Sequence, residues 1–165
     1  MVRMDIQTVV MGGLHMSSLI VLKKQAGDGD QVHLPIRIGP VEAAAITAGI
    51  EGTTRNRPLT HDLMGDLMES LGARLVSVDI VDVQGTTFFA KLQIVKADGT
   101  TCSLDCRPSD AIALAVRKQA PIYARKQVIE TATMPDFQKV KETAERQELD
   151  AFHDFVEGLS PEDFA

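Results

Sequence analysis

The sequence predicts an α+β fold, a mixed or antiparallel β-sheet with packed helices, followed by an acidic helical tail. Three observations carry this reading. β-branched-rich runs are separated by glycine turns, as antiparallel strands are. Ala- and Leu-rich stretches follow prolines and end at glycine or proline, as helices do. The charge is also unevenly spread: 17 Lys plus Arg stand against 23 Asp plus Glu, a net charge of −6. Residues 1–125 hold 13 side chains of each sign, whereas residues 126–165 hold 4 basic and 10 acidic ones. The chain thus divides into a neutral body, residues 1–130, and an acidic tail, residues 131–165.

The elements follow in order. Residues 4–11 and 18–24 read as strands on either side of Gly12-Gly13, and a polar turn at residues 26–30 leads to a third strand, 32–38. Pro40 suits the first turn of a helix and opens one over residues 41–50, closed by Gly52. That helix is apolar nearly all round, so it is expected to be buried on more than one side. Thr60 has the character of an N-cap, and Leu63, Leu67 and Leu71 recur every four residues beside Met64 and Met68 in an amphipathic helix ending at Gly72. Residues 73–83, 87–95 and 101–106, joined by short Gly turns, read as an antiparallel meander. Ser109 is expected to cap a helix over residues 110–119 that Pro121 stops, and residues 122–124 form a short last strand. Residues 136–147 read as a solvated helix or linker. Phe152, Phe155, Val156 and Leu159 then share one helical face, expected to dock on the body, on a sister subunit or on another protein. No internal repeat of about 20–50 residues is visible.

Composition narrows the function. With 44% hydrophobic and 24% charged residues the chain is neither wholly disordered, collagen-like nor a disulfide scaffold. Six Phe, one Tyr and no Trp leave the core to aliphatic side chains and Met. A chain of this length buries roughly two-thirds of its unfolded surface and folds without a metal or disulfide. No apolar leader is seen and no apolar run reaches the ~18 residues of a membrane span, so a cytoplasmic protein with no membrane partner is expected. Cys102 and Cys106, four apart in a strand, are expected to have Cα atoms roughly 13 Å apart, beyond the ~7 Å limit for a disulfide. They read as reduced, buried or half-buried side chains.

Three helix starts share a proline at or before the start and an acid in the first turn: Gly39-Pro40-Val41-Glu42, Arg57-Pro58-Leu59-Thr60-His61-Asp62 and Arg107-Pro108-Ser109-Asp110. Capping and the helix dipole account for each acid singly. Capping does not require an arginine before the proline. Arg57 and Arg107 either clamp acids of each other's motif or face a common cleft, where guanidinium groups grip phosphate bidentately. Asp105 adds a second carboxylate beside Arg107, and paired carboxylates can hold Mg²⁺ or Mn²⁺ against substrate phosphate. His61, at a helix N-terminus, is biased toward the neutral imidazole that acts as a general base. His15, His33 and His153 have no companions in sequence. No P-loop, nucleophile elbow, dinucleotide fingerprint or His-Glu-x-x-His is present.

At these residues the chain resembles the bifunctional nuclease domain family. The resemblance rests on Leu34-Pro35-Ile36-Arg37-Ile38-Gly39 with Glu42-Ala43, on residues 57–63, on Leu71-Gly72-Ala73, and on Asp105-Cys106-Arg107-Pro108-Ser109-Asp110 continuing to Ala115. It covers residues 2–128. It implies an α+β fold, a homo-oligomer with a dimer favoured, and nuclease activity on DNA and RNA. It points to His61, Asp62, Asp105 and Asp110 as catalytic, to Arg37, Arg57 and Arg107 as substrate-binding, and to Glu42, Asp105 and Asp110 as ligands of Mg²⁺ or Mn²⁺. A neutral body lacks the basic surface usual for polyanion binding, although Arg37, Arg55, Arg57, Arg107, Arg117 and Lys118 could form a local patch. Two alternatives stand beside the nuclease: a non-catalytic regulatory or scaffold domain whose arginines pair with its own acids, and a small-anion or nucleotide-binding module.

Overall fold

Among the described residues, alternating β-branched residues build seven strands, and the helices pack on the sheet they form. The computed structural model describes residues 1–13, 17–25, 32–52 and 56–132. Strands β1 (Val2–Val10), β2 (Ser18–Lys24) and β3 (His33–Ile38) precede helices α1 (Pro40–Glu51) and α2 (Thr60–Ser70). Strands β4 (Arg74–Gln84), β5 (Thr87–Val95) and β6 (Thr101–Cys106) precede α3 (Pro108–Lys118), β7 (Ile122–Ala124) and α4 (Lys126–Ala132). The fold is α+β with a mixed sheet, as expected. Of the expected tail, residues 133–165 lie outside the described residues, as does the turn at residues 26–30.

The sheet order is β3-β2-β1-β7-β4-β5-β6. Two antiparallel meanders, β1 to β3 and β4 to β6, meet through β7, which runs antiparallel to β1 and parallel to β4. The order βββα therefore occurs twice, once ending in α1 and once in α3. The matching helix starts align as Gly39-Pro40-Val41-Glu42-Ala43 and Arg107-Pro108-Ser109-Asp110-Ala111. Their spacing exceeds that of common sequence repeats, and the sequence reading found none.

α3 is the centre of the core. Ala111, Ile112, Ala113, Leu114 and Ala115 are all buried, beneath side chains such as Ile36, Val78, Ile80 and Leu92 from the inner face of the sheet. α1 packs beside α3 and buries Ala43 and Ile46. It leaves Val41 and Ile50 more than half exposed, so it is covered on fewer sides than its all-round apolar surface implied.

α2 turns a different face inward than the leucine ladder suggested. Leu63, Leu67 and Leu71 are 60%, 56% and 67% exposed, while Met64 and Met68 pack on the core. The polar pairs explain the rotation. Asp62 and Glu69, on the face that also carries Gly65, bind Arg117 and Lys118 of α3, and this holds the leucine row outward. Gly65 allows the approach, because a Cβ there would lie 2.1 Å from Lys118 Cε.

Two expected caps shift. Thr60 is the first residue of α2 and Leu59 the N-cap, whose N–H donates to Asp62 Oδ2 at 2.8 Å. Ser109 is the second residue of α3 and is buried, because Pro108, with its fixed φ, takes the first helical position and makes Arg107 the N-cap.

Candidate functional site at three helix starts

Each of the first three helices carries its acid at the third helical position: Glu42, Asp62 and Asp110. A carboxylate there complements the partial positive charge of the helix N-terminus. The repeated βββα order places Glu42 and Asp110 in equivalent positions of two neighbouring helices. Gly39 occupies the N-cap of one and Arg107 that of the other, so a single guanidinium serves both acids.

Arg107 donates from Nε to Asp110 Oδ2 at 2.7 Å and from Nη2 to Asp110 Oδ1 at 2.9 Å, a bidentate pair. Its Nη1 donates to Glu42 Oε1 at 3.0 Å. The bidentate bond with Arg107 outweighs partial burial and holds the Asp110 carboxyl below its ordinary value of 3.8. Asp110 and Glu42 in turn raise the Arg107 pKa, so that guanidinium stays charged. Arg107 is nonetheless 64% exposed.

His61 joins the same chain of contacts. Its Nε2 lies 3.4 Å from Asp110 Oδ1, a long contact, on a side chain only 13% exposed. Because Asp110 is ionised at neutral pH, the contact is a hydrogen bond only when Nε2 carries the hydrogen, which leaves Nδ1 as the acceptor of the neutral ring.

Arg37, Gly39 and Glu42 line an open groove of about 270 Å³ with Thr87, Arg107 and Ser109. β3 and β5 lie far apart in the sheet order, so its curl is what brings Arg37 and Thr87 to one groove.

The other predicted residues are placed elsewhere. Asp62 belongs to the α2–α3 contact, where Arg117 Nε donates to its Oδ1 at 2.5 Å. Burial raises its pKa, but the Leu59 N–H bond and Arg117 outweigh this and hold it below 3.8. Asp105 pairs in register with Lys91 on the outer face of the sheet, because the pleat alternates it with Cys102 and Cys106, which pack on the core. Arg57 is exposed, two residues before Leu59, and makes no ion pair with another described residue. Among the described residues the expected clamp between the two Arg-Pro motifs does not form: Arg107 pairs with Asp110 of its own motif and with Glu42, and Asp62 pairs with Arg117. The two cysteines are unpaired and half-buried, as expected. Burial, with Asp105 and Asp110 nearby, pushes the Cys106 thiol up to about 11.

For Mg²⁺ or Mn²⁺ the donor set does not fit as it stands. Both Asp110 oxygens and Glu42 Oε1 are taken by Arg107, Asp105 faces the opposite side of the sheet, and among the described residues no three His, Cys, Asp or Glu side chains converge on a metal-sized space. A dication between Glu42 and Asp110 would have to displace a guanidinium already held there.

Sequence reading missed the role of Arg117. It counted this residue only as one cation of a patch, yet its side chain is 8% exposed and makes hydrogen bonds to all of the first three helices. The available signal was an arginine in the last turn of a helix that otherwise reads as buried.

The fold and the site define a class: an α+β domain in which three helix starts gather two carboxylates, an arginine and a histidine beside an open groove. The chain belongs to the bifunctional nuclease domain family, whose model matches residues 20–136. An uncharacterized protein of Mycobacterium tuberculosis is 39% identical over 148 residues, covering 87% of each chain. Bifunctional nuclease 2 of Arabidopsis thaliana is 32% identical over 111 residues, 66% of this chain and 33% of that one. Bifunctional nuclease 1 of Oryza sativa subsp. japonica is 28% identical over 111 residues, again 33% of its length. The match thus spans a third of each of these plant proteins. No helix of the described residues is long and apolar enough to cross a membrane.

Proposed function

We propose that this chain hydrolyses phosphodiester bonds of DNA or RNA at the groove beside Arg107. The observation that carries the reading is the junction of His61, Asp110, Arg107 and Glu42 from three helix starts, next to a groove that Arg37 also lines. Arg37 and the exposed Arg107 guanidinium bind the phosphate oxygens and offset the charge that builds as water attacks. His61 Nδ1 takes the proton of the attacking water, Asp110 steadies the ring through Nε2, the new P–O bond forms and the ester P–O bond breaks, with the leaving oxygen protonated by solvent. The relationship to plant proteins named bifunctional nucleases supports the substrate class.

The test is cleavage of single-stranded DNA and RNA, with Mg²⁺, Mn²⁺ or chelator, by the purified chain beside His61→Ala, Asp110→Asn and Arg107→Ala taken through the same preparation. Each variant is expected to lose roughly 100-fold or more in rate. Equal cleavage by all four proteins would mark a contaminating nuclease and end the catalytic reading of this site.

One observation favours a second reading, a non-catalytic scaffold: Glu42, Asp62 and Asp110 are all engaged in ion pairs within the domain. Under it, none of the four proteins cleaves, and the three substitutions change stability alone. We further propose a cytoplasmic homodimer. Its two unpaired thiols suit a reducing compartment, and the exposed leucine row of α2 offers an apolar contact; sedimentation of wild type against Leu67→Lys tests the latter.

A further inference from the structure

The groups of the site come from three helices, and the sheet ladder does not fix the position of any helix. α2 in particular is loosely held by apolar burial: Gly65 is its one fully buried residue, and its leucines face outward. The placement of His61, the second residue of α2, therefore depends on polar contacts with α3.

The strongest of these is Arg117. Its Nε donates to Asp62 Oδ1 at 2.5 Å, and its Nη1 donates to Ala45 O of α1 at 2.9 Å and to Ala113 O of α3 at 2.8 Å. Asp62 spends its second oxygen on the Leu59 N–H, so the ion pair continues into the N-cap of α2. One buried guanidinium thus ties the first turn of α2 to the backbones of α1 and α3, which carry Glu42 and Asp110. Gly49 keeps the space clear, since a Cβ there would stand 2.6 Å from Nη1.

We propose that Arg117 is a positioning residue for this site: acting through Asp62, it holds His61 against Asp110. Arginine is required because its planar fork reaches one carboxylate and two carbonyls at once, which a lysine ammonium on a single flexible stem does not reproduce. The catalytic part of the inference rests on the nuclease reading; the geometric part does not.

The experiment compares the full chain with Arg117→Met and Arg117→Lys by ¹⁵N NMR of the His61 ring and by nuclease kinetics. In Arg117→Met the ring signals are expected to move from a hydrogen-bonded Nε2–H form toward a free imidazole, with Arg117→Lys in between. kcat is expected to fall roughly 10- to 100-fold with KM within about 2-fold, as for a displaced group that acts in the transition state. A folded Arg117→Met with unchanged His61 signals overturns the proposal, whatever its melting temperature. If Arg117→Met does not fold, Asp62→Asn, which keeps the side-chain shape, carries the same comparison with the same overturning result. Should the wild type cleave nothing, the nuclease reading fails while the ring signals still decide the role of Arg117.

Discussion

Gly49→Ala sets two physical effects against each other, and the structure says which wins. Gly49 lies in the last turn of α1, where alanine would by helix propensity add about 1 kcal/mol of stability. The added methyl group would stand 2.6 Å from Arg117 Nη1 and 2.6 Å from Val116 Cγ2, both well inside ordinary contact. Val116 is β-branched and held to one rotamer in a helix, so it yields little. The guanidinium must therefore retreat by several tenths of an ångström, which lengthens the bonds to Ala45 O and Ala113 O from 2.9 and 2.8 Å toward the limit of useful contact. Hydrogen bonds from a charged donor contribute about 1.5–3 kcal/mol each. Losing one and weakening the other outweighs the propensity gain, for a net destabilisation of about 1–2 kcal/mol. Urea denaturation reads this directly, and thermal melting should fall by about 3–6 °C. If Gly49→Ala melts at or above the wild-type temperature, propensity has won and the three-helix role of Arg117 is wrong.

Two further outcomes follow from the same contacts. Asp62 and Asp110 have folded-state pKa values held below 3.8, so their pairing stabilises the fold at neutral pH and is lost as pH falls through those depressed values. The unfolding free-energy gap between wild type and Asp110→Asn should accordingly be widest near neutral pH and close as the pH falls below the ordinary carboxylate value of 3.8 and through the depressed folded-state value; a gap that stays constant contradicts the assignment. On α2, followed at concentrations low enough to keep the chain monomeric, Leu67→Gln should change stability by less than about 0.5 kcal/mol, because Leu67 is exposed in the single chain, whereas Ile112→Ala in α3 should cost roughly 2–5 kcal/mol. Comparable urea midpoint shifts for the two would mean that the leucine row is buried within the monomer.

The strands and the first three helices were legible because each has a strong local signal, whether β-branched alternation, a glycine turn or a proline at the first helical position. What escaped depends on tertiary contact. In α2 the rows Leu63-Leu67-Leu71 and Met64-Met68 are neighbours on the helix surface, and only the partners Arg117 and Lys118 on α3 decide which row faces in. α4 is short and polar, with Val128 as its buried residue, and carries too little periodicity to be read. Residues 122–124 read as a strand, but their partners, Val2 to Met4 on one side and Val78 to Ile80 on the other, are distant in sequence. In the site, the Arg107–Asp110 pair is local and was readable. The contacts of Arg107 with Glu42 and of Arg117 with Asp62 join separate elements and were not. Asp105 is a different case: it was read as a site residue beside Arg107, although strand alternation with Cys106 puts its side chain on the opposite face.

The three-residue strand β7 makes the order of synthesis matter. Both meanders are built from neighbouring segments and can pair as they leave the ribosome, which favours fast local folding. Between them, however, the inner edges of β1 and β4 have no partner until residue 124 emerges, and α3, which fills the core, is completed only just before. A nascent chain stalled short of Ile122 would therefore carry two half-sheets with bare edges, the kind of surface on which chains pair with one another. Six residues after the core helix is complete, a single short segment converts two sticky halves into one continuous sheet, and the helix starts acquire a common frame at that moment.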